Sequence, residues 1–269
     1  MSTDKGCMKL SIVIPAHNEE DCIEHTVRGI VDTLSGHAIP HEVIVVDDNS
    51  LDRTSEIMQR LSAEIATVRV ITRSPPPGFG RAIRDGLCAI TGDAVAIVMG
   101  DASDDPNDLC LYYDSLRQGY DCAFGTRFQK GTEVRDYPVV KLMVNRLANS
   151  FIRVLFGIRY NDMTNAFKAY NARVIRAISP IQANHFNITV ELPLKALVRG
   201  FSYAVVPVNW YGRKSGVSKL TLRQMGRKYL FSVLYVWLEK HLVADEYPLP
   251  DQTGSKADEA AIREAGPAD

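Results

Sequence analysis

Along the chain, short continuous apolar runs alternate with longer stretches of helical periodicity. Residues 10–14 (LSIVI), 42–46 (EVIVV), 68–71 and 94–98 (AVAIV) are rich in β-branched and small apolar residues and are bounded by turn formers. Runs of that length and composition predict strands buried on both faces. Pro15 is expected to end the first, because proline cannot continue a hydrogen-bonded ladder. Between the runs, Ile23, Val27, Ile30, Val31 and Leu34 recur at the spacing of one helix face, and residues 52–65 and 81–90 predict two further helices. Asn18 is a candidate N-cap for the first helix, with acidic residues following it in the first turn. Strands alternating with helices at this spacing imply βαβ crossovers. The predicted class is α/β, a doubly wound, mainly parallel sheet with helices on both faces.

The second half is less regular. Residues 121–125 and 202–208 predict strands, and residues 138–156, 188–198 and 221–242 predict helices, with a short helix from Ala172. Residues 161–170 (NDMTNAFKAY) read as a compact polar-aromatic segment. The last helix carries Arg223, Arg227 and Lys228 ahead of the apolar run YLFSVLYVWL. Such a helix suits a bilayer interface, and equally burial against its own domain or a partner. After residue 244 the chain is polar and rich in Pro, Gly, Asp, Glu and Ala, so a single domain over residues 1–243 with a disordered tail over 244–269 is expected.

Composition narrows the class of function. A 269-residue chain with 46% hydrophobic residues and a formal net charge of -1 gives no broad electrostatic case for nucleic acid. The five cysteines are scattered and without CxxC spacing, which argues against zinc or a disulfide framework and for reduced thiols in a cytoplasmic protein. The opening MSTDKGCMKLSIVIP has an apolar part only a strand long, unlike a signal peptide, and no window reaches the roughly 18–20 apolar residues that span a bilayer. A soluble or peripheral protein is expected.

Candidate chemistry sits where the strands end. The stretch AVAIVMGDASDDP, residues 94–106, places Asp101, Asp104 and Asp105 just past a buried strand. Open α/β sheets bind ligands there, and clustered oxygen donors suit Mg2+ or Mn2+ held together with substrate phosphates. A polar turn with Asp104 or Asp105 capping the next helix is the alternative. The first strand ends in Pro15, Ala16, Asn18 and Glu19, and the second in Asp47 and Asp48, whose carboxylates can accept hydrogen bonds from a ribose or a base. In PPPGFGRAIRDG, Gly78 and Gly80 could admit a diphosphate beside Arg81 or Arg84, or serve only as a turn and helix start.

SIVIPAHNEE, VIVVDDNSLDRT, GFGRAIRDGL, MGDASDDPNDL, GTRF and DMTNAFKAY occur in the order found in family-2 glycosyltransferases of GT-A fold, which the chain resembles from about residue 8 to 242. RKSGVSKL and the surroundings of Glu191 most resemble the dolichyl- or polyprenyl-phosphate mannose synthase branch. The resemblance implies a nucleotide-sugar-binding half over 8–125, an acceptor half over 126–220 and an amphipathic helix over 221–243. It implies that Pro15, Ala16, Asn18, Glu19 and Asp48 hold the nucleoside with Asp47 beside it, and that Gly80 and Arg81 lie near nucleotide and sugar. Asp101 would ligate Mg2+ or Mn2+, with Ser103 adjacent. Arg127, Arg213 and Lys219 would face phosphates, with Ser218 nearby, while Asp162, Thr164 and Glu191 would shape the acceptor side. One departure stands out: aligned on Asp105–Pro106, the first acid of the family's DxD motif is Met99 here.

The implied reaction is metal-dependent, inverting transfer of a sugar from a GDP- or UDP-linked donor to a polyprenyl phosphate. A phosphate nucleophile is anionic and needs no strong base, only cations to position it, and Arg127, Arg153, Arg213 and Lys219 supply them. A hydroxyl acceptor on a glycan or small molecule, which would need a carboxylate base, is the alternative within the family. A non-catalytic nucleotide-sugar binder is the alternative outside it. A polyprenyl acceptor would bring the chain to the cytoplasmic face of a membrane; a homo-oligomer is left open.

Overall fold

The computed structural model describes residues 8–129, 131–135, 137–211 and 222–243, without the side chains of 222–225. Arg213, Ser218, Lys219 and the tail therefore lie outside the described residues. The first half runs β1 (Leu10–Ala16), α1 (Ile23–Gly36), β2 (His41–Asp47), α2 (Thr54–Glu64), β3 (Val68–Thr72), α3 (Phe79–Cys88), β4 (Ala94–Ile97), α4 (Asp108–Arg117) and β5 (Cys122–Thr126). The second half runs β6 (Val134–Arg135), α5 (Val139–Phe156), β7 (Lys168–Asn171), α6 (Ala172–Ala177), α7 (Ile188–Val198), β8 (Tyr203–Pro207), β9 (Trp210–Tyr211) and α8 (Leu222–Leu242).

Seven strands form one sheet in the order β3-β2-β1-β4-β7-β5-β8, all parallel except β7, and β6 pairs with β9 separately. Alternate residues of each central strand feed two cores. Ile12, Ile14, Val43 and Val45 face α1, α2 and α4. Val13, Ile44, Val46 and Phe124 face α3, α6, α7 and α8. Burial on both faces explains why the strands read as continuous apolar runs instead of alternating ones.

Three expectations need correction. Pro15 does not end β1, which pairs with β2 through Pro15 and Ala16. The Val13 carbonyl accepts the Val98 N–H on the β4 side. Pro15 points the same way two residues later, beyond the last residue of β4, so its missing N–H costs no ladder bond. Asn18 caps no helix: it sits at φ 53, accepts the Leu51 N–H at 2.7 Å, and α1 begins only at Ile23. The third is β7, an antiparallel strand inserted between β4 and β5 inside the segment read as merely compact. Its first residue, Lys168, is almost fully buried, and its ammonium donates to the carbonyls of Asn165 and Met163. Burial pushes that ammonium down to about 7.

The last helix docks on α7 through polar groups as well as apolar ones. Asn187 donates to Ser232 Oγ at 2.8 Å, and the Arg199 guanidinium meets Glu239 at 2.7 Å. Buried Lys195 lies between Glu191 at 3.5 Å and Glu239 at 3.8 Å.

At the opposite end of the sheet from the strand-end acids, Glu42 accepts hydrogen bonds from Ser11 and Thr91 and pairs with Arg69. Burial alone would raise its pKa, but these bonds overcome it and lower the value from 4.5 to about 2. The folded value lies below the unfolded one, so the stabilisation is present above pH 4.5 and is lost as pH falls from there towards 2. A Glu42→Gln variant is expected to be less stable than the parent at pH 7 and to converge with it near pH 2. Urea unfolding at the two pH values checks this.

Candidate active site

The parallel strands β1 and β2 end level with each other and run three residues past the end of β4, and the segments leaving their carboxyl ends frame a cleft of about 290 Å³. Pro15, Ala16, Glu19 and Asp48 line it, as the sequence led one to expect. Asn18 and Asp47 stand behind that surface. Asp47 accepts the Ser50 N–H at 3.0 Å, and Asn18 and Asp47 together shape the 47–51 turn. The Asp48 carboxylate is buried. It accepts the Gly78 N–H at 2.6 Å and pairs with Arg73, which also holds Asp85 at 2.5 Å. His17 donates from Nδ1 to the Asp48 carbonyl at 2.8 Å. Asp48 thus fixes the proline-rich loop as one wall while its own charge is balanced by Arg73.

The opposite wall comes from residues 182–186. Gly78 and Gly80 do leave room for a backbone, but for this one: a Cβ on Gly78 would lie 2.5 Å from the Asn184 carbonyl, and one on Gly80 would lie 2.5 Å from that of Ala183. Gly80 is consequently buried under the wall. Arg81 stands at its edge, its Nη1 donating to the Pro77 carbonyl at 3.1 Å. Arg84 donates to Ile181 and Asn184, and Glu191 accepts the N–H groups of Gln182 and Ala183 at 2.7 and 2.6 Å. Glu191 is fully buried, so its place is behind the wall it holds and not on a ligand. Phe186 stacks on Phe79 at 4.0 Å and 8°, giving the cleft a flat aromatic side. His185 also lines it. Burial, with Lys228 and Arg81 adding, lowers the pKa of its imidazole.

Met99 and Gly100 complete the lining, and the acid-rich turn follows directly after them in the chain. Asp101 is buried and accepts from the Ser103 hydroxyl at 2.6 Å and the Ser103 N–H at 3.2 Å, around Ala102 at φ 56. Asp104 caps no helix; its carboxylate accepts the Met99 N–H at 3.0 Å, and α4 is preceded by Asn107. Burial pushes Asp104 up to about 7, the Met99 N–H opposing and the Asp101 charge adding. Asp105 accepts from Asn107 and faces outward. The Tyr211 N–H donates to the Ser103 carbonyl at 3.3 Å, so β9 runs beside this turn.

Among the described residues no group of three or more His, Cys, Asp or Glu side chains is arranged to hold a metal. Asp101 and Ser103 offer hard oxygen donors at one point. That donor set fits Mg2+ or Mn2+ where waters and ligand phosphates complete the shell, which is how Mg2+ is commonly bound.

Arg127 and Asp162 form a buried two-pronged pair, Nε to Oδ2 at 2.8 Å and Nη2 to Oδ1 at 2.7 Å. Burial would push the guanidinium down, but Asp162 overrides it and raises the value. Thr164 accepts from Asn145 and Asn149 of α5. These three expected site residues therefore knit the end of β5 to the 161–165 loop and α5. Arg73, His17, Phe79, His185 and Phe186 were missed by sequence reasoning. Only the aromatic after Gly78 carried a local signal, since it stands between two glycines at a helix start.

The glycosyl transferase family 2 model matches residues 11–179. A polyprenol monophosphomannose synthase of Mycolicibacterium smegmatis is 30% identical over 227 residues, 82% of this chain and 84% of that protein. A dolichol-phosphate mannosyltransferase of Pyrococcus furiosus is 30% identical over 221 residues, and the chain spans 59% of its length. Glucosyl-3-phosphoglycerate synthase from Mycobacterium tuberculosis, crystallised with Mn2+, uridine diphosphate and phosphoglyceric acid, superposes with a TM-score of 0.67 at 21% identity. That match covers 86% of this chain and 78% of that one, and it is a likeness of GT-A fold. With strand-end carboxylates, an aromatic-walled cleft and a match over residues 11–179, the chain is an enzyme of glycosyl transferase family 2.

Proposed function

We propose that the enzyme transfers a sugar from a nucleoside diphosphate donor to a polyprenyl phosphate, with inversion at C1 and with Mg2+ or Mn2+ at Asp101 and Ser103. The observation that carries this reading is the convergence of Asp48 and the Phe79–Phe186 wall on one cleft past the ends of β1 and β2, whose lining runs through Met99 and Gly100 directly into the Asp101–Ser103 turn. The wall suits a planar base, the 15–19 and 48 positions suit its ribose, and the turn suits the diphosphate. The names of the two mannosyl-transferring relatives support the acceptor, and the Mn2+ and uridine diphosphate in the structural neighbour support the donor class.

In this reaction an acceptor phosphate oxygen attacks C1 from the face opposite the leaving group. The bond from C1 to the donor diphosphate breaks, and its electron pair leaves with the diphosphate. The bound cation supplies neutralisation of the leaving phosphates. Asp101 and Ser103 would hold it, and Arg81 stands at the cleft edge for the same charge. Arg127 is already balanced by Asp162 and acts as a positioning residue. Arg213 and Lys219, with Ser218, remain to receive the acceptor phosphate. No proton has to leave the nucleophile, so no base is required.

A second reading is transfer to a hydroxyl, with Asp104, in the same turn as Asp101 and Ser103, as the base. Asp104, at about 7, has the affinity for a proton that a general base near neutrality needs. The two readings separate on product and on Asp104→Asn. Labelled product from a donor and polyprenyl phosphate is expected to extract into organic solvent, with Asp104→Asn within about threefold of the parent. A water-soluble product, with a loss of about 100-fold or more in Asp104→Asn, would establish the hydroxyl reading.

Asp101→Ala is expected to lower turnover by about 100-fold or more while the melting temperature without ligand stays close to the parent's. Full turnover in that variant would remove the metal role from Asp101. Glu191→Gln places an amide donor against one of the two N–H groups it now accepts. It is expected to loosen the 182–186 wall and raise the Kd of nucleoside diphosphate about tenfold, with a smaller change in kcat. Titration calorimetry with uridine and guanosine diphosphates in Mn2+ measures the first, and initial rates measure the second.

A further inference from the structure

The wall of residues 182–186 lies between α6 and α7 and belongs to no helix or strand, so groups outside it must fix its height. On one side α3 does so, through Arg84 on the Ile181 carbonyl and Asn184. On the other side the support comes from α7, and α7 is itself held by α8. Tyr229, Ser232, Val236 and Glu239 stand three or four residues apart and so share one face of α8. Two lines run from that face to the wall. In the first, the Thr189 hydroxyl donates to the Phe186 carbonyl at 2.8 Å, and the Tyr229 hydroxyl lies 3.2 Å from Thr189 Oγ1. A hydroxyl has one proton to donate, and that of Thr189 goes to Phe186, so Tyr229 is the donor to Thr189. In the second, the Lys195 ammonium donates to the Pro180 carbonyl at 2.6 Å and lies 3.5 Å from Glu191, which accepts the Gln182 and Ala183 N–H groups.

Charge makes the second line depend on α8. Helix α7 and the Arg199 that ends it bury two cations, Lys195 and Arg199, against one acid, Glu191. Glu239 brings the second acid from α8, 2.7 Å from Arg199 and 3.8 Å from Lys195. The four buried charges balance only with α8 in place, and a buried charge left without its partner is strongly disfavoured. We propose that α8 seats the donor wall: Tyr229 and Glu239 are positioning residues, and a nucleoside diphosphate binds tightly only while α8 is docked on α7. This rests on the reading of the cleft as the donor site given above. Neither residue lines the cleft, and each acts through a group on α7. With α8 displaced, water reaches Lys195 and Arg199, and the Lys195–Glu191 and Thr189–Phe186 contacts lose their backing. The coupling is reciprocal by linkage: a ligand that needs the wall in place holds α8 down by the same factor.

Amide hydrogen exchange of the ligand-free full chain is the first test. Tyr229→Phe is expected to speed exchange across residues 182–186 about threefold, and Glu239→Gln about tenfold or more, while α2 keeps the parent's protection. Ile30→Val, in the core on the other side of the sheet, lowers the melting temperature without touching the wall and separates lost positioning from lost stability. In titration calorimetry with uridine and guanosine diphosphates in Mn2+, both α8 variants are expected to raise Kd by similar factors, and Ile30→Val to leave it unchanged. Bound diphosphate is expected to slow exchange in residues 229–239 of the parent. Should Glu239→Gln fail to fold, Tyr229→Phe decides, since the ring still fills its place. Parent-like exchange at 182–186 in the folded variants overturns the proposal, as does an unchanged Kd once the wall has loosened. A parent that binds neither diphosphate would strike the donor reading above, and ligand-free exchange would still decide whether α8 seats the wall.

Discussion

The buried pair of Arg127 and Asp162 is the joint on which the second half of the molecule turns. Asp162 meets the guanidinium with both oxygens and also takes the Arg127 N–H at 3.0 Å, so the end of β5 and the start of the 161–165 loop move as one. From that loop Thr164 reaches α5, and the carbonyls of Met163 and Asn165 take the ammonium of Lys168 at the start of β7. Removing one member of such a pair leaves a charge in the interior, at a cost of about 3–5 kcal/mol, whereas the intact pair adds little net stability. Its contribution is registry. The same logic recurs between α7 and α8, where Lys195 and Arg199 meet Glu191 and Glu239. In both places charges are buried where two elements must meet in one arrangement.

That habit explains which parts of the fold could be read beforehand. β1, β2 and β4 are covered on both faces by apolar helices, so hydrophobicity alone marks them. β7 is equally central, but it opens with a lysine and closes with an asparagine, and its partners lie on either side in space and far away in sequence. No local pattern distinguishes a lysine satisfied by three carbonyls from one in water. Pro15 misled for a related reason: whether a missing N–H matters depends on how far the neighbouring strand extends.

The site divides along the same line. Asp48 and Asp101 stand out in the sequence because ligand sites in open sheets fall at strand ends, and both follow obvious strands. Asp104 looked like a helix cap by its spacing from Pro106, yet it turns inward to the Met99 N–H, at the position where the family's first motif acid would stand. Gly78 and Gly80, at the start of α3, admit a close approach not of a diphosphate but of residues 183–185, a hundred positions later. Phe186 becomes part of the cleft only because that approach occurs.

Glu191 separates the wall of the cleft from its lining. The carboxylate that sets the height of residues 182–183 is sealed from solvent, whereas His185 and Phe186, a few residues on, line the cleft. Anchor and lining can thus vary independently during divergence. A lineage, or a designer, can exchange the side chains at 185 and 186 to reshape the cleft without renegotiating the backbone that carries them.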